Sequence, residues 1–187
     1  ASEELLRLDK NDDRAWYLLG RALYNSGKND SAKSYFDTAI SINSGVADVY
    51  YWRGLLLHDS FVYDSATFDF SKAISLDSSD FNSFFYRGRS YYMQGKYQSA
   101  IFDYSRCIEL KPEEPNSFFS RGLAYYAIKK YDSANIDYTK AISFNPNQPD
   151  LYWARGLNYR EFGKLQNALL DYKKLVELRP NDPNGIN

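Results

Sequence analysis

From Phe81 to Gln94, and again from Ser99 to Leu110, apolar side chains recur every three or four positions, the spacing that places them on one face of an α-helix. Gly95 stands between the two stretches as a stop signal, and Pro112 follows the second, where a helix cannot continue. A short link between two amphipathic helices predicts an antiparallel helix hairpin. The same pattern returns along the whole chain. Gly20, Gly54, Gly88, Gly122 and Gly156 are each 34 residues apart. Ala32, Ala66, Ala100, Ala134 and Ala168 keep that period, as do Phe36, Phe70, Tyr104, Tyr138 and Tyr172. Three columns in register over five copies predict five hairpins, in which the small residues let two helices approach and the rings fill the space beside them.

These residues resemble the tetratricopeptide repeat family. Its 34-residue signature has an aromatic residue at place 4, Leu at 7, Gly at 8, Tyr at 11, Ala at 20, an aromatic at 24, Ala at 27 and Pro at 32. Counted from Asp13, the first copy supplies Trp16, Leu19, Gly20, Ala32, Phe36 and Ala39. The fourth supplies Phe118, Gly122, Tyr125, Ala134, Tyr138, Ala141 and Pro146. The repeats run over 13–46, 47–80, 81–114, 115–148 and 149–182. The resemblance implies an all-α fold, a right-handed superhelical solenoid of stacked antiparallel helix hairpins. Some positions depart from the signature: Cys107 and Leu175 replace Ala at place 27, Ser44 and Ser78 replace Pro, and Phe61 and Lys129 stand where other copies have the Gly between helices. The turns of the second and fourth repeats are therefore the least defined. Leu5, Leu6 and Leu8 match the end of a second helix, so 1–12 reads as the remnant of a preceding repeat. Pro183 matches Pro115 and Pro149, so 183–187 reads as the start of another. The expectation is a segment of a longer protein.

Place 7 departs most consistently. It is Leu19, then Arg53, Arg87, Arg121 and Arg155, while place 23 is Tyr35, then Asp69, Asp103, Asp137 and Asp171. The copy without the Arg also lacks the Asp. This covariation within one chain predicts an Arg–Asp pair inside each hairpin; pairing each Asp with the Arg of the next copy would leave Arg53 facing Tyr35 and Asp171 alone. Such pairs, partly buried and bidentate, would fix helix register.

At about 100° per residue, places 4, 7, 8 and 11 of the first helix share one face and places 2, 5, 9, 12 and 13 another. By resemblance to the family, the second face lines the concave groove of the superhelix. Place 5 is Tyr17, Tyr51, Phe85, Phe119 and Trp153; place 12 is Tyr24, His58, Tyr92, Tyr126 and Arg160. Stacked repeats would make these two aromatic rows suited to a peptide, with Arg21 and Arg89 beside them. Arg14, Arg21, Arg89 and Arg160 are matched by Asp48, Asp59, Asp150 and Glu161, so no single-sign ligand is favoured. The place 5 rings can equally be packing between repeats. One subclass of the family clamps a terminal carboxylate with Lys and Asn at set places; the corresponding Tyr17, Arg21, Trp52, Asn82 and Tyr86 do not reproduce it, so a carboxylate-clamp chaperone partner is not expected.

Composition narrows the chemistry. The 187 residues carry a net charge of -1, with 44% hydrophobic and 18% aromatic residues, which argues against both disorder and a nucleic-acid partner. No apolar run approaches the roughly 18 residues of a membrane span, and no membrane partner is expected. The compartment stays undecided, the cytoplasm being the default and an earlier export signal being compatible with the sequence. The one His and one Cys lie on different repeats; Cys107 reads as a small buried hydrophobe, and His58 beside Asp59 lacks the cluster a metal needs. Neither a phosphate loop nor a dinucleotide fingerprint occurs. No cofactor, no metal and no catalysis are expected. The reading is a protein-interaction scaffold for a peptide or protein segment, monomeric or weakly self-associating through its repeat ends. The alternatives are a regulatory or self-associating segment of a larger protein, and carbohydrate binding on the aromatic rows.

Overall fold

The computed structural model describes residues 11–179, all of whose regular elements are helices. The expectations for Leu5, Leu6 and Leu8 and for 183–187 lie outside the described residues. Two compact units, divided between Gln94 and Gly95, make up the chain. Unit 1 contains α1 (Asp13–Asn25), α2 (Asn29–Ile42), α3 (Ala47–Asp59), α4 (Tyr63–Leu76) and α5 (Phe81–Met93). Unit 2 contains α6 (Tyr97–Leu110), α7 (Pro115–Ala127), α8 (Tyr131–Phe144), α9 (Pro149–Glu161) and α10 (Leu165–Leu178). Within the units α1 packs on α2, α3 on α4, α7 on α8 and α9 on α10, each hairpin leaning on its neighbour.

The helix ends follow from local chemistry. Asp12 caps α1 by accepting from the Ala15 amide at 3.1 Å, and Asp80 caps α5 by accepting from the amides of Asn82 and Ser83 at 3.0 and 3.1 Å. Pro115 and Pro149 open α7 and α9, where their missing N–H costs no hydrogen bond. Four of the hairpin turns close with a bond back across five residues: Lys28 N–H to Leu23, Val62 to Leu57, Lys130 to Tyr125 and Lys164 to Tyr159. That closure needs a left-handed residue. Gly27 and Gly163 supply it with φ of 76° and 79°, and Phe61 and Lys129 adopt 62° and 60° in the same position. The second and fourth turns therefore have the same geometry as the rest, at the cost of a Cβ in a region that disfavours one.

The core is built from the small and aromatic columns. Ala32, Phe36, Ala39, Ala66, Phe70, Ala73, Ala134, Tyr138, Ala141 and Cys107 are buried. A Cβ on Gly20 would stand 2.7 Å from the Phe36 ring, and one on Gly122 2.7 Å from Tyr138, so the place 8 glycine is where the place 24 ring lies against the first helix.

Candidate functional site

The arginine of place 7 projects from the first helix beside a ring three residues before it, and in Arg87, Arg121 and Arg155 a second ring lies four residues after. Arg121 lies 5.9 Å from the centroids of both Phe118 and Tyr125, and Arg155 5.9 Å from those of Tyr152 and Tyr159. Its head then meets the second helix. Arg53 Nε and Nη2 donate to the two oxygens of Asp69 at 2.7 Å each; Arg121 meets Asp137 at 2.8 and 2.8 Å, and Arg155 meets Asp171 at 2.8 and 2.7 Å. In these three hairpins the pairing is internal to the repeat. Arg87 belongs to unit 1 and Asp103 to unit 2. Hydrogen bonds and charge from Asp137 hold the Arg121 guanidinium above its usual range. Burial opposes the charge on Arg53, and Asp69 and Asp37 outweigh it.

Sequence reasoning missed the third bond. Nη1 of each arginine reaches back to place 25 of the preceding repeat: Arg53 to Asp37 at 2.7 Å, Arg87 to Ser71 at 3.0 Å, Arg121 to Ser105 at 3.0 Å and Arg155 to Thr139 at 2.9 Å. The only common property of Asp, Ser and Thr here is an acceptor oxygen. Cavities of about 740 Å3 in unit 2 and about 430 Å3 in unit 1 lie over Arg121–Asp137 and Arg53–Asp69. In Arg53, Arg121 and Arg155, Nε, Nη1 and Nη2 are all engaged by groups of the chain itself.

The opposite face of the first helices differs in the two units. In unit 1, Tyr17, Arg21 and Tyr24 of α1 face Tyr51 and Trp52 of α3. Arg21 lies 4.4 Å over the Trp52 ring and donates from Nη1 to the Tyr17 hydroxyl at 3.1 Å. Tyr24 meets Trp52 edge-on at 5.9 Å and donates its hydroxyl to Asp59. Tyr51 contacts Trp52 at 5.5 Å and Tyr86 of α5 at 6.1 Å. Burial, then the hydrogen bond and field of Asp59, push the Tyr24 phenol well above its ordinary range; burial and Asp48 raise Tyr17, against the opposing field of Arg21. Trp52, at place 6, is the organising ring here, and helical spacing alone did not place it on this face. Phe85 stacks on Phe81 at 5.9 Å, Arg89 is exposed and Tyr92 is half-buried.

His58 is a correction. Expected beside the groove tyrosines, it is 6% exposed, and its ring meets Tyr63 and Tyr86 edge-on at 5.4 and 5.9 Å. Ser90 Oγ spends its single proton on the Tyr86 carbonyl at 2.9 Å, so the His58 Nδ1–H donates to Ser90 Oγ at 2.8 Å. Burial and the nearby Arg89 push the imidazole pKa down, against Asp59. His58 is a helix-packing residue.

In unit 2 the place 5 and place 12 residues scatter. Phe119 packs on Tyr138 at 6.0 Å, Tyr126 on Tyr131 at 6.0 Å, and Trp153 is 49% exposed. Arg160 pairs with Glu161 at 2.9 Å and Asp150 with Arg179 at 2.7 Å. Among the described residues no group of three His, Cys, Asp or Glu side chains is placed to hold a metal, and no helix is long and apolar enough to cross a membrane.

Profiles of the tetratricopeptide repeat match residues 13–45, 47–80 and 119–183, and a further TPR repeat profile matches 88–129. The chain belongs to the tetratricopeptide repeat family. Among solved structures, a MamA protein superposes with a TM-score of 0.86 at 22% identity, over 90% of this chain and 92% of that one. MamA 41-end from Desulfovibrio magneticus RS-1 gives 0.88 at 17% identity, over 95% and 99%. YrrB, described as a TPR protein with an unusual peptide-binding site, gives 0.85 at 19% identity, over 97% and 93%. At these identities the likeness is one of fold. No curated protein matches the sequence.

Proposed function

We propose that this tetratricopeptide repeat chain is a non-catalytic interaction scaffold, and that unit 1 binds a peptide or protein segment along the aromatic face of its first helices. The observation that carries the reading is the contiguous cluster of Tyr17, Arg21, Tyr24, Tyr51 and Trp52. It combines ring area with hydroxyl and guanidinium groups at its edge, the composition of a binding hot spot. The peptide-binding site named for YrrB supports a partner of the same class. Of the place 12 residues of unit 1, Tyr24 belongs to this cluster and His58 does not. In unit 2, exposed Trp153 is the candidate contact, whereas Phe119 serves packing.

Selection of a displayed random-peptide library on the parent and on a folded Trp52→Ala, Tyr24→Ala variant tests this. Peptides enriched on the parent alone are expected. Identical peptides on both proteins, or none on either, would remove the groove and bring forward self-association, read as a mass that rises with concentration in sedimentation.

A further inference from the structure

We propose that the ligand of unit 1 is an extended peptide segment with two acidic side chains flanking an apolar stretch, one carboxylate held by Arg21 and the other by Arg89. This rests on the groove reading above and adds the chemistry of the occupant.

Arg21 carries the argument. In Arg53, Arg121 and Arg155 the Nε–Nη2 edge of the guanidinium is filled by a carboxylate at 2.7–2.8 Å. Arg21 Nε is shielded from solvent and has no acceptor, and Arg21 has no carboxylate partner among the described residues. Trp52 below and the Tyr17 hydroxyl at Nη1 hold the guanidinium in place. A buried, unbonded N–H is costly, and a planar cation pre-oriented by an aromatic face is a ready receptor for a carboxylate. Arg89 occupies the same place two repeats on. It is exposed, near enough to His58 to depress its pKa, and also without a carboxylate partner among the described residues.

Among the described residues the acids of this face form no ion pair with either arginine. Asp59 takes the Tyr24 hydroxyl, and Asp48 acts on the Tyr17 phenol without pairing with Arg21. Unit 2 provides the contrast, because there Arg160 and Arg179 are matched by Glu161 and Asp150. Two guanidiniums without a paired carboxylate give fixed positions for acidic side chains on a face that Asp48 and Asp59 keep close to neutral, so the selectivity is local to each arginine.

The occupant is a chain passing through rather than a terminus. Tyr51, Trp52 and Tyr86 provide ring surface between α1 and α5, so the ligand continues from one arginine to the other. Helix α3 touches both α1 and α5. Two helix-packing steps of 8–10 Å separate the arginine-bearing helices by about 16–20 Å, which is five or six residues of extended chain at about 3.3 Å each.

The test is isothermal titration of the full chain with an acetylated, amidated peptide carrying Glu at both ends of a Tyr/Leu/Ser stretch, about six residues apart. Its companion has Gln at both ends. The Glu peptide is expected to bind at least about ten-fold tighter, and Arg21→Gln or Arg89→Gln to lower its affinity about five-fold each, a larger loss than either variant causes for the Gln peptide. Added salt should narrow the difference between the peptides. Equal binding of the two peptides overturns the acidic ligand while leaving the groove intact. A free C-terminal carboxylate that outbinds the amidated Glu peptide overturns the pass-through mode. Binding of neither peptide removes both readings.

Discussion

Removal of Arg121 offers the most direct test of what the place 7 column does. Its partner Asp137 has a side chain only 3% exposed and takes both of its arginine bonds at 2.8 Å. Arg121→Ala leaves that carboxylate buried without a counter-charge, which costs about 3 kcal/mol. The low end of the usual range applies because the arginine head is itself 20% exposed. Asp137→Ala leaves a guanidinium that still reaches solvent and Ser105, and should cost about 2 kcal/mol. The double variant strands no charge. Its cost, mainly lost packing of the arginine stem between Phe118 and Tyr125, should be about 2–3 kcal/mol, so the cycle gives a coupling near 2 kcal/mol. Urea unfolding followed by circular dichroism and by tryptophan fluorescence in a Trp16→Phe, Trp52→Phe background, where Trp153 of the same unit is the reporter, measures each corner. Single-variant costs that sum to the double within about 0.5 kcal/mol would refute the claim that the pair acts as one element.

Three further outcomes are expected. Gly122→Ala drives a methyl to 2.7 Å from the Tyr138 ring and should destabilise by about 1–3 kcal/mol, seen as a lower urea midpoint at unchanged slope. Lys129→Gly removes the Cβ from a residue with φ of 60° and should stabilise by about 0.5–1 kcal/mol after the entropy of the added glycine is subtracted; a lower midpoint would contradict the turn geometry. His58 has a folded pKa below its ordinary 6.5, so the unfolded chain binds more protons as pH falls below about 7. Stability should therefore decline from there down to the folded pKa, and His58→Gln should flatten that part of the Tm–pH profile.

The period made the fold legible, because five copies of each position in one chain expose what is held constant. Gly20, Ala32 and Phe36 could be read as close helix contacts, and the joint absence of Arg and Asp from the first copy gave the internal pair. Place 25 stayed hidden, since Asp37, Ser71, Ser105 and Thr139 share an acceptor atom and not a residue type. Groove assignments were less secure because they assumed every copy presents the same face. His58 turns instead toward Ser90, and Trp52 meets Arg21, Tyr24 and Tyr51 from a place outside the predicted stripe. Phe61 and Lys129 obscured two turns, although the bonds from Val62 to Leu57 and from Lys130 to Tyr125 impose the left-handed residue whatever its side chain.

The backward bond of each arginine gives the chain a grammar of order. Every Arg-bearing repeat needs an oxygen in the repeat before it, and Asp37, Ser71, Ser105 and Thr139 provide one. The fifth repeat carries Lys173 at that place, and the first has Leu19 where the arginine would be. The modules are therefore not interchangeable. Transplanting 149–182 ahead of an Arg-bearing repeat would set an ammonium against a guanidinium, whereas 13–46 can precede any of the others but returns no bond to a repeat placed before it. Recombination of such units is constrained by a single side chain per boundary, and a designer reordering them would edit place 25 first.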